Sequence, residues 1–121
     1  MNGVSTEEYI RELRQRLKEN PVCALTHYNL GVALIKQYKW DEAISEFEEA
    51  IAKSPRLAEA YINLSGIYFR KGEMEKGIDL LSLAYLQKGE FKKAICHCDR
   101  ALEYGYEVHP DILAELEAFR E

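Results

Sequence analysis

Cysteine, proline and an excess of positive charge are all scarce in this chain, and each scarcity excludes something. Three cysteines in 121 residues are too few, and odd in number, for a disulfide framework. They read as reduced thiols of a cytoplasmic protein. The three prolines stand at Pro21, Pro55 and Pro110, where helices would begin or end, so long loops are not expected. Seven glycines occur singly, which leaves no phosphate-cradling loop. Lysine and arginine number 16 against 21 acidic residues, a net charge of −5. That balance argues against nucleic acid as a partner. No apolar run is long enough to span a bilayer, and no basic-then-apolar leader opens the chain. Membrane insertion is therefore not expected.

What the chain has instead is helical periodicity. Between Ala24 and Leu57, large apolar residues recur three or four apart, with one interruption near Tyr38-Lys39. That pattern predicts two amphipathic helices joined by a tight turn. Gly31 and Ala43 fall where the two backbones must approach closely. Ala50 leaves room for a following helix, and Pro55 stops the second one. His27, Leu30, Gly31, Leu34, Ala43, Phe47, Ala50 and Pro55 together resemble the tetratricopeptide repeat, a helix–turn–helix unit of about 34 residues. His27 stands where the family has a large aromatic, and Tyr38 where it has a turn glycine.

The pattern recurs. Adding 34 carries His27, Leu30, Gly31 and Leu34 to Tyr61, Leu64, Ser65 and Tyr68. It carries Ala43, Phe47 and Ala50 to Gly77, Leu81 and Ala84. A further step of 34 fails, because it puts Asp111 in a small-residue position. A shift of 51 from the first repeat works: Trp40, Ala43, Phe47 and Ala50 map to Phe91, Ala94, Cys98 and Ala101. A shift of 17 also works, taking Leu64, Ser65, Tyr68 and Gly72 to Leu81, Ser82, Tyr85 and Gly89. Half a repeat is missing around Leu80-Leu81. The helix over 73–87 therefore has two identities, second helix of one repeat and first helix of the next.

The expected fold is all-α, an antiparallel helix–turn–helix array (an α-solenoid) of about seven helices in one domain, 1–121. A leading helix spans 6–19, with Ser5 and Glu8 at capping-box spacing. Repeat 1 covers 24–57, with Trp40 and Phe47 packed inside its hairpin. Repeat 2 covers 58–88 and contains the hybrid helix, expected to be unbroken. A partial third repeat covers 90–106, and a capping helix covers 110–120, opened by Pro110.

Little in the chain points to catalysis. Cys96-His97-Cys98 tempts as a metal motif, but residues two apart on a helix point about 200° apart, so both sulfurs cannot reach one ion. Cys98 reads as core and Cys96 as surface. His27, His97 and His109 lack partners at suggestive spacing and read as packed or surface residues. Acidic residues such as Asp41, Glu42 and Glu46 read as a solvated helix face. No cofactor, metal or enzymatic activity is expected.

The resemblance implies a binding surface. In the family, first helices line a groove that holds a peptide or an amphipathic helix. The matching positions are Tyr28, Asn29, Val32 and Ile35 in the first repeat and Ile62, Asn63, Phe69 and Arg70 in the second. Leu83 and Leu86 of the hybrid helix join them. Asn29 and Asn63 match an asparagine that bonds a peptide backbone in many members. One subgroup clamps a chaperone's terminal carboxylate with Lys, Asn and Arg residues. Only Asn63 and Lys76 match that set, while Tyr28, Val32 and Leu80 depart from it. The expected partner is thus a protein or peptide held by a mostly apolar groove. The alternative is a self-assembling scaffold. The helix over 90–104 follows a helix of its own kind, and its apolar face (Phe91, Ala94, Ile95, Cys98, Ala101, Leu102) could lack a partner within the chain. Homo-oligomers are expected on that ground.

Overall fold

The computed structural model describes residues 5–120, and among them are seven helices and no strand. These are α1 (Thr6–Glu19), α2 (Ala24–Lys36), α3 (Trp40–Lys53), α4 (Ala58–Arg70), α5 (Met74–Gln87), α6 (Phe91–Glu103) and α7 (Pro110–Glu117). The ends of the expected 1–121 domain lie outside the described residues. Packing divides the chain into two compact units, with the boundary between Ala60 and Tyr61.

In the first unit, α1 starts at a capping box. Ser5 Oγ accepts from the Glu8 amide at 3.1 Å, and the Glu8 carboxylate accepts from the Ser5 amide. Each orphan donor of the first turn so covered stabilises the helix by roughly 1 kcal/mol. Ile10 and Leu13 are buried, and α1 packs on α2. The α2–α3 hairpin closes through Gly31. A Cβ there would lie 2.9 Å from the fully buried ring of Phe47, so only glycine lets that ring sit against the helix. Trp40 is only half-buried, at the hairpin mouth, with its ring edge-on to Tyr38. Of the two residues expected inside the hairpin, Phe47 is fully buried and Trp40 is half-buried beside the Tyr38 ring. Buried His27 joins loop and hairpin: Nε2 meets the Pro21 carbonyl at 2.9 Å, and Nδ1 meets Glu46 at 2.8 Å.

In the second unit, α5 is one unbroken helix, and both of its identities are realised. Toward α4 it presents Gly77, where a Cβ would come within 2.5 Å of the Phe69 ring. Toward α6 it presents Ser82, whose hydroxyl lies 3.2 Å from Cys98 Sγ and also bonds the Ile78 carbonyl. Ser82 and Cys98 are the Gly31 and Phe47 positions shifted by 51.

The same helix ending recurs after α2, α4, α5 and α6. Tyr38, Gly72, Gly89 and Gly105 all have positive φ. The following amide bonds the carbonyl five residues back, as Glu73 to Tyr68 and Glu90 to Tyr85, which satisfies carbonyls the helix leaves open.

The last helix corrects the expectation of an unpartnered face. It ends at Glu117, short of Arg120, and folds back on its own chain. Val108, Ile112 and Leu116 join Ile78, Ala94, Cys98 and Ala101 in one buried cluster. Phe119 stacks on Phe91 with centroids 3.7 Å apart. Arg120 bonds both carboxylate oxygens of Asp99, at 2.6 and 3.2 Å. Asp79 accepts from the His109 amide at 2.9 Å, tying the start of α7 to α5. Most of the inner face of α6 is thus covered within the chain, and of the residues expected to lack a partner Leu102 is the one left exposed.

Candidate functional site

The residues matching the family's groove fall on two surfaces, one in each unit. On α2, Tyr28, Asn29, Val32 and Ile35 are all half-buried, at successive turns of one helical face. The Tyr28 ring reaches inward and meets Phe47 edge-on at 5.7 Å, so it supports the surface as well as forming it. Asn29 is the polar member. Its amide makes no hydrogen bond within the described residues. An amide offers one acceptor and two donors. Placed among apolar neighbours, it is suited to fix the register of an incoming backbone.

On α4, Ile62 is 38% exposed and Asn63 half-buried, while Arg70 is exposed at the helix end. Gly66 has open space where a side chain would stand, so a partner's backbone could come close. Burial holds the Tyr61 phenol above its ordinary range, leaving it neutral at physiological pH.

The other sequence-derived positions sit differently. Phe69 turns into the α4–α5 contact, against Gly77, and with Leu83 and Leu86 it packs on the buried cluster of the second unit. These three residues are partly structural. Lys76 is engaged within the chain: it pairs with Glu73 at 3.2 Å and lies 5.2 Å over the Tyr68 ring. Asp79 is taken up by the His109 amide, a role no sequence pattern signals, because its partner lies thirty residues away in a loop.

The thiols are placed apart. Cys96 is exposed, whereas Cys98 is buried and its thiol is pushed up by desolvation. Among the described residues no group of three or more His, Cys, Asp or Glu side chains is arranged to hold a metal. No described helix is long and apolar enough to cross a membrane.

Comparison with known proteins agrees with this architecture. Relatives include Hsp70-Hsp90 organizing protein 1 of Glycine max, 35% identical over 72 residues, 60% of this chain and 13% of that protein. Another is the tetratricopeptide repeat-containing protein trd-1 of Caenorhabditis elegans, 28% identical over 106 residues, 88% of this chain and 11% of that protein. The chain thus spans a small fraction of the length of these relatives. Among solved structures, MamA superposes with a TM-score of 0.60 at 26% identity, covering 81% of this chain and 67% of that one. A family model described as tetratricopeptide repeat matches residues 9–55 and 28–85. With most of its length matched and its helix pairs packed through small residues in register, the chain belongs to the tetratricopeptide repeat family.

Proposed function

We propose that this chain binds a peptide or amphipathic helix of a partner protein, with the exposed face of α2 in the first unit and that of α4 in the second each offering a contact surface by itself. The observation that carries the reading is Asn29, a side-chain amide without a hydrogen bond among the described residues, set between Val32, Ile35 and Tyr28. Apolar contacts with Val32, Ile35 and Ile62 supply affinity, and Asn29 and Asn63 orient the partner's backbone. The chain acts as an adaptor, not as an enzyme. Its three free cysteines suit a reducing compartment such as the cytoplasm.

A chaperone tail is not the partner this surface favours, although relatives carry Hsp70 and Hsp90 in their names. A terminal carboxylate wants several cationic donors. Tyr28, Val32 and Leu80 supply none, and Lys76 is already paired with Glu73.

Peptides selected from a displayed library against the chain provide the test, with affinities measured by calorimetry. Val32→Ala, Ile62→Ala and Asn29→Ala should each weaken binding by about 1–3 kcal/mol if they are central contacts. Phe69→Ala is a poor probe, because it also empties the α4–α5 contact. Binding that ignores all three changes but collapses with salt would replace this reading with a charged clamp.

Self-association would rest on Leu102, the part of the expected α6 face that stays exposed, and on two aromatic neighbours. Leu102, Tyr104 and Phe119 are 44%, 74% and 42% exposed. A light-scattering mass above 14.0 kDa that falls when these residues are changed to polar ones would support it.

A further inference from the structure

In the second unit an apolar cup of about 280 Å³ opens between the end of α4, the start of α5 and the last turns of α6. Phe69, Met74, Ile78, Ala101 and two tyrosines, Tyr104 and Tyr106, wall it. It lies where the hybrid helix, having turned Gly77 to α4, begins to serve α6. The two polar members are His97 and Arg100.

Both are unsatisfied. His97 is hydrogen-bonded to the backbone of Ile78, while its Nε2 is buried with no partner in the described structure. In the neutral tautomer that carries its proton on Nδ1, Nε2 is an acceptor without a donor. Buried polar atoms of this kind are uncommon and call for an explanation. Desolvation holds this imidazole below the usual histidine range, which keeps it in the accepting form. Arg100 is exposed and makes no ion pair with the described residues. The nearby Asp99 is taken by Arg120. No carboxylate lines the cup, so a basic ligand would find no counter-charge there.

We propose that the cup receives one tyrosine or tryptophan side chain from an acidic segment of a partner protein. The ring fills the apolar volume, its O–H or N–H donates to Nε2 of His97 after a small turn of the imidazole, and a neighbouring carboxylate pairs with Arg100. The volume suits a single side chain and not a helix. The proposal rests on the chain being an interaction module, but not on the α2 and α4 faces.

The test is an NMR titration of the isotope-labelled full chain with three terminally blocked peptides. These are Gly-Asp-Tyr-Glu-Gly, the same with Phe for Tyr, and the same with Lys at both acidic positions. The acidic tyrosine peptide should shift the amides of Met74, Ile78, His97 and Arg100 saturably, with a Kd of about 1 mM or below. The phenylalanine peptide should bind about fivefold more weakly, as loss of one hydrogen bond implies. His97→Phe should erase that preference, and Arg100→Gln should erase the preference for acidic over basic flanks. Thermal melts confirm that both variants fold. Equal binding of the Tyr and Phe peptides by the native chain would overturn the proposal, as would shifts that never saturate. Shifts of the cup amides on dilution without peptide would also overturn it, because a second copy would then be the occupant. Loss of library-peptide binding to α2 and α4 leaves these titrations untouched, so the two readings fail separately.

Discussion

At Gly31 and Phe47 the α2–α3 hairpin sets a residue with no side chain against a fully buried ring. At Ser82 and Cys98, 51 positions on, the α5–α6 hairpin sets two small polar side chains against each other. Both the bulk at the contact and the source of cohesion change. The first contact is an aromatic wedge with a large apolar area. The second is a hydroxyl–thiol contact supplemented by the cluster that α7 completes. The α4–α5 contact returns to the first solution with the roles reversed, since the glycine, Gly77, sits on the second helix and the ring, Phe69, on the first. The one helix α5 therefore closes against two neighbours by different contacts, a glycine under a ring toward α4 and a hydroxyl against a thiol toward α6.

The largest effect should come from cutting the wedge. Phe47→Ala is expected to cost about 3–5 kcal/mol of stability, the usual loss for a buried aromatic. Cys98→Ala, at the equivalent place, removes one sulfur and should cost about 1 kcal/mol, the size of a modest hydrogen-bonded contact. Urea denaturation of the two variants measures the contrast. Equal losses would mean that the two hairpins are held in the same way.

Next comes the opposite change. Gly77→Ala puts a Cβ within 2.5 Å of the Phe69 ring. The ring must move, and overpacking of this kind costs about 1–3 kcal/mol. Pairing it with Phe69→Leu should recover part of the loss, because the smaller side chain vacates the contested space. A double-mutant cycle reads the coupling directly.

These residues also show how far the sequence was legible. The shifts of 34, 51 and 17 located α2 to α6 and the double role of α5, because small residues at backbone contacts leave a periodic trace. The shifts did not say which way Phe69 points. It lies at a border of the helical stripe, and only the empty space at Gly77 draws its ring inward. Nor did they reveal that α7 returns to cover α6. That return depends on Asp79 and His109, on Arg120 and Asp99, and on the stacked Phe91 and Phe119. Those pairs are separated too widely in sequence to leave a periodic trace. For the candidate binding residues the periodicity gave positions but not exposure: Asn29 and Val32 are half-buried and Ile62 exposed, while Leu83 and Leu86 share their surface with the core.

A pH effect separates the units further. Burial lowers the His97 pKa, with the Ile78 bond opposing it. The unfolded chain takes up that proton near the ordinary value of ~6.5, whereas the folded chain does so only at lower pH. The His97 contribution to stability is thus fully present above that value and is lost as pH falls below it. His97→Phe should remove this part of the acid-side decline, visible as a native-minus-variant difference in melting that grows below pH ~6.5. A difference that does not change with pH would show that His97 titrates alike in both states. Asp99, lowered chiefly by its hydrogen bond to Arg120, loses its contribution only at still lower pH, through the carboxylate range.

The smallest expected effect concerns the turn that joins α2 and α3. Tyr38 adopts φ of 59°, in the left-handed region where Gly72, Gly89 and Gly105 serve the other turns. A side chain there costs roughly 1–2 kcal/mol relative to glycine. Tyr38→Gly should relieve that strain. It also removes the edge-on contact with Trp40, at 5.9 Å, and gives the unfolded chain more freedom. The aromatic contact is worth about 0.5–1.5 kcal/mol when well buried, but Tyr38 is 74% exposed, so its share is at the low end. The added freedom of glycine offsets a further part, up to about 1 kcal/mol. The net change should therefore be a small gain of well under about 1 kcal/mol. Gly89→Ala, which imposes the left-handed cost on the equivalent turn with no contact in return, should destabilise by about 1 kcal/mol. Thermal melts of the two variants give opposite signs if backbone strain governs both turns. A clear loss on Tyr38→Gly would mean that the Tyr38–Trp40 contact outweighs the strain and that the first turn is held by its rings.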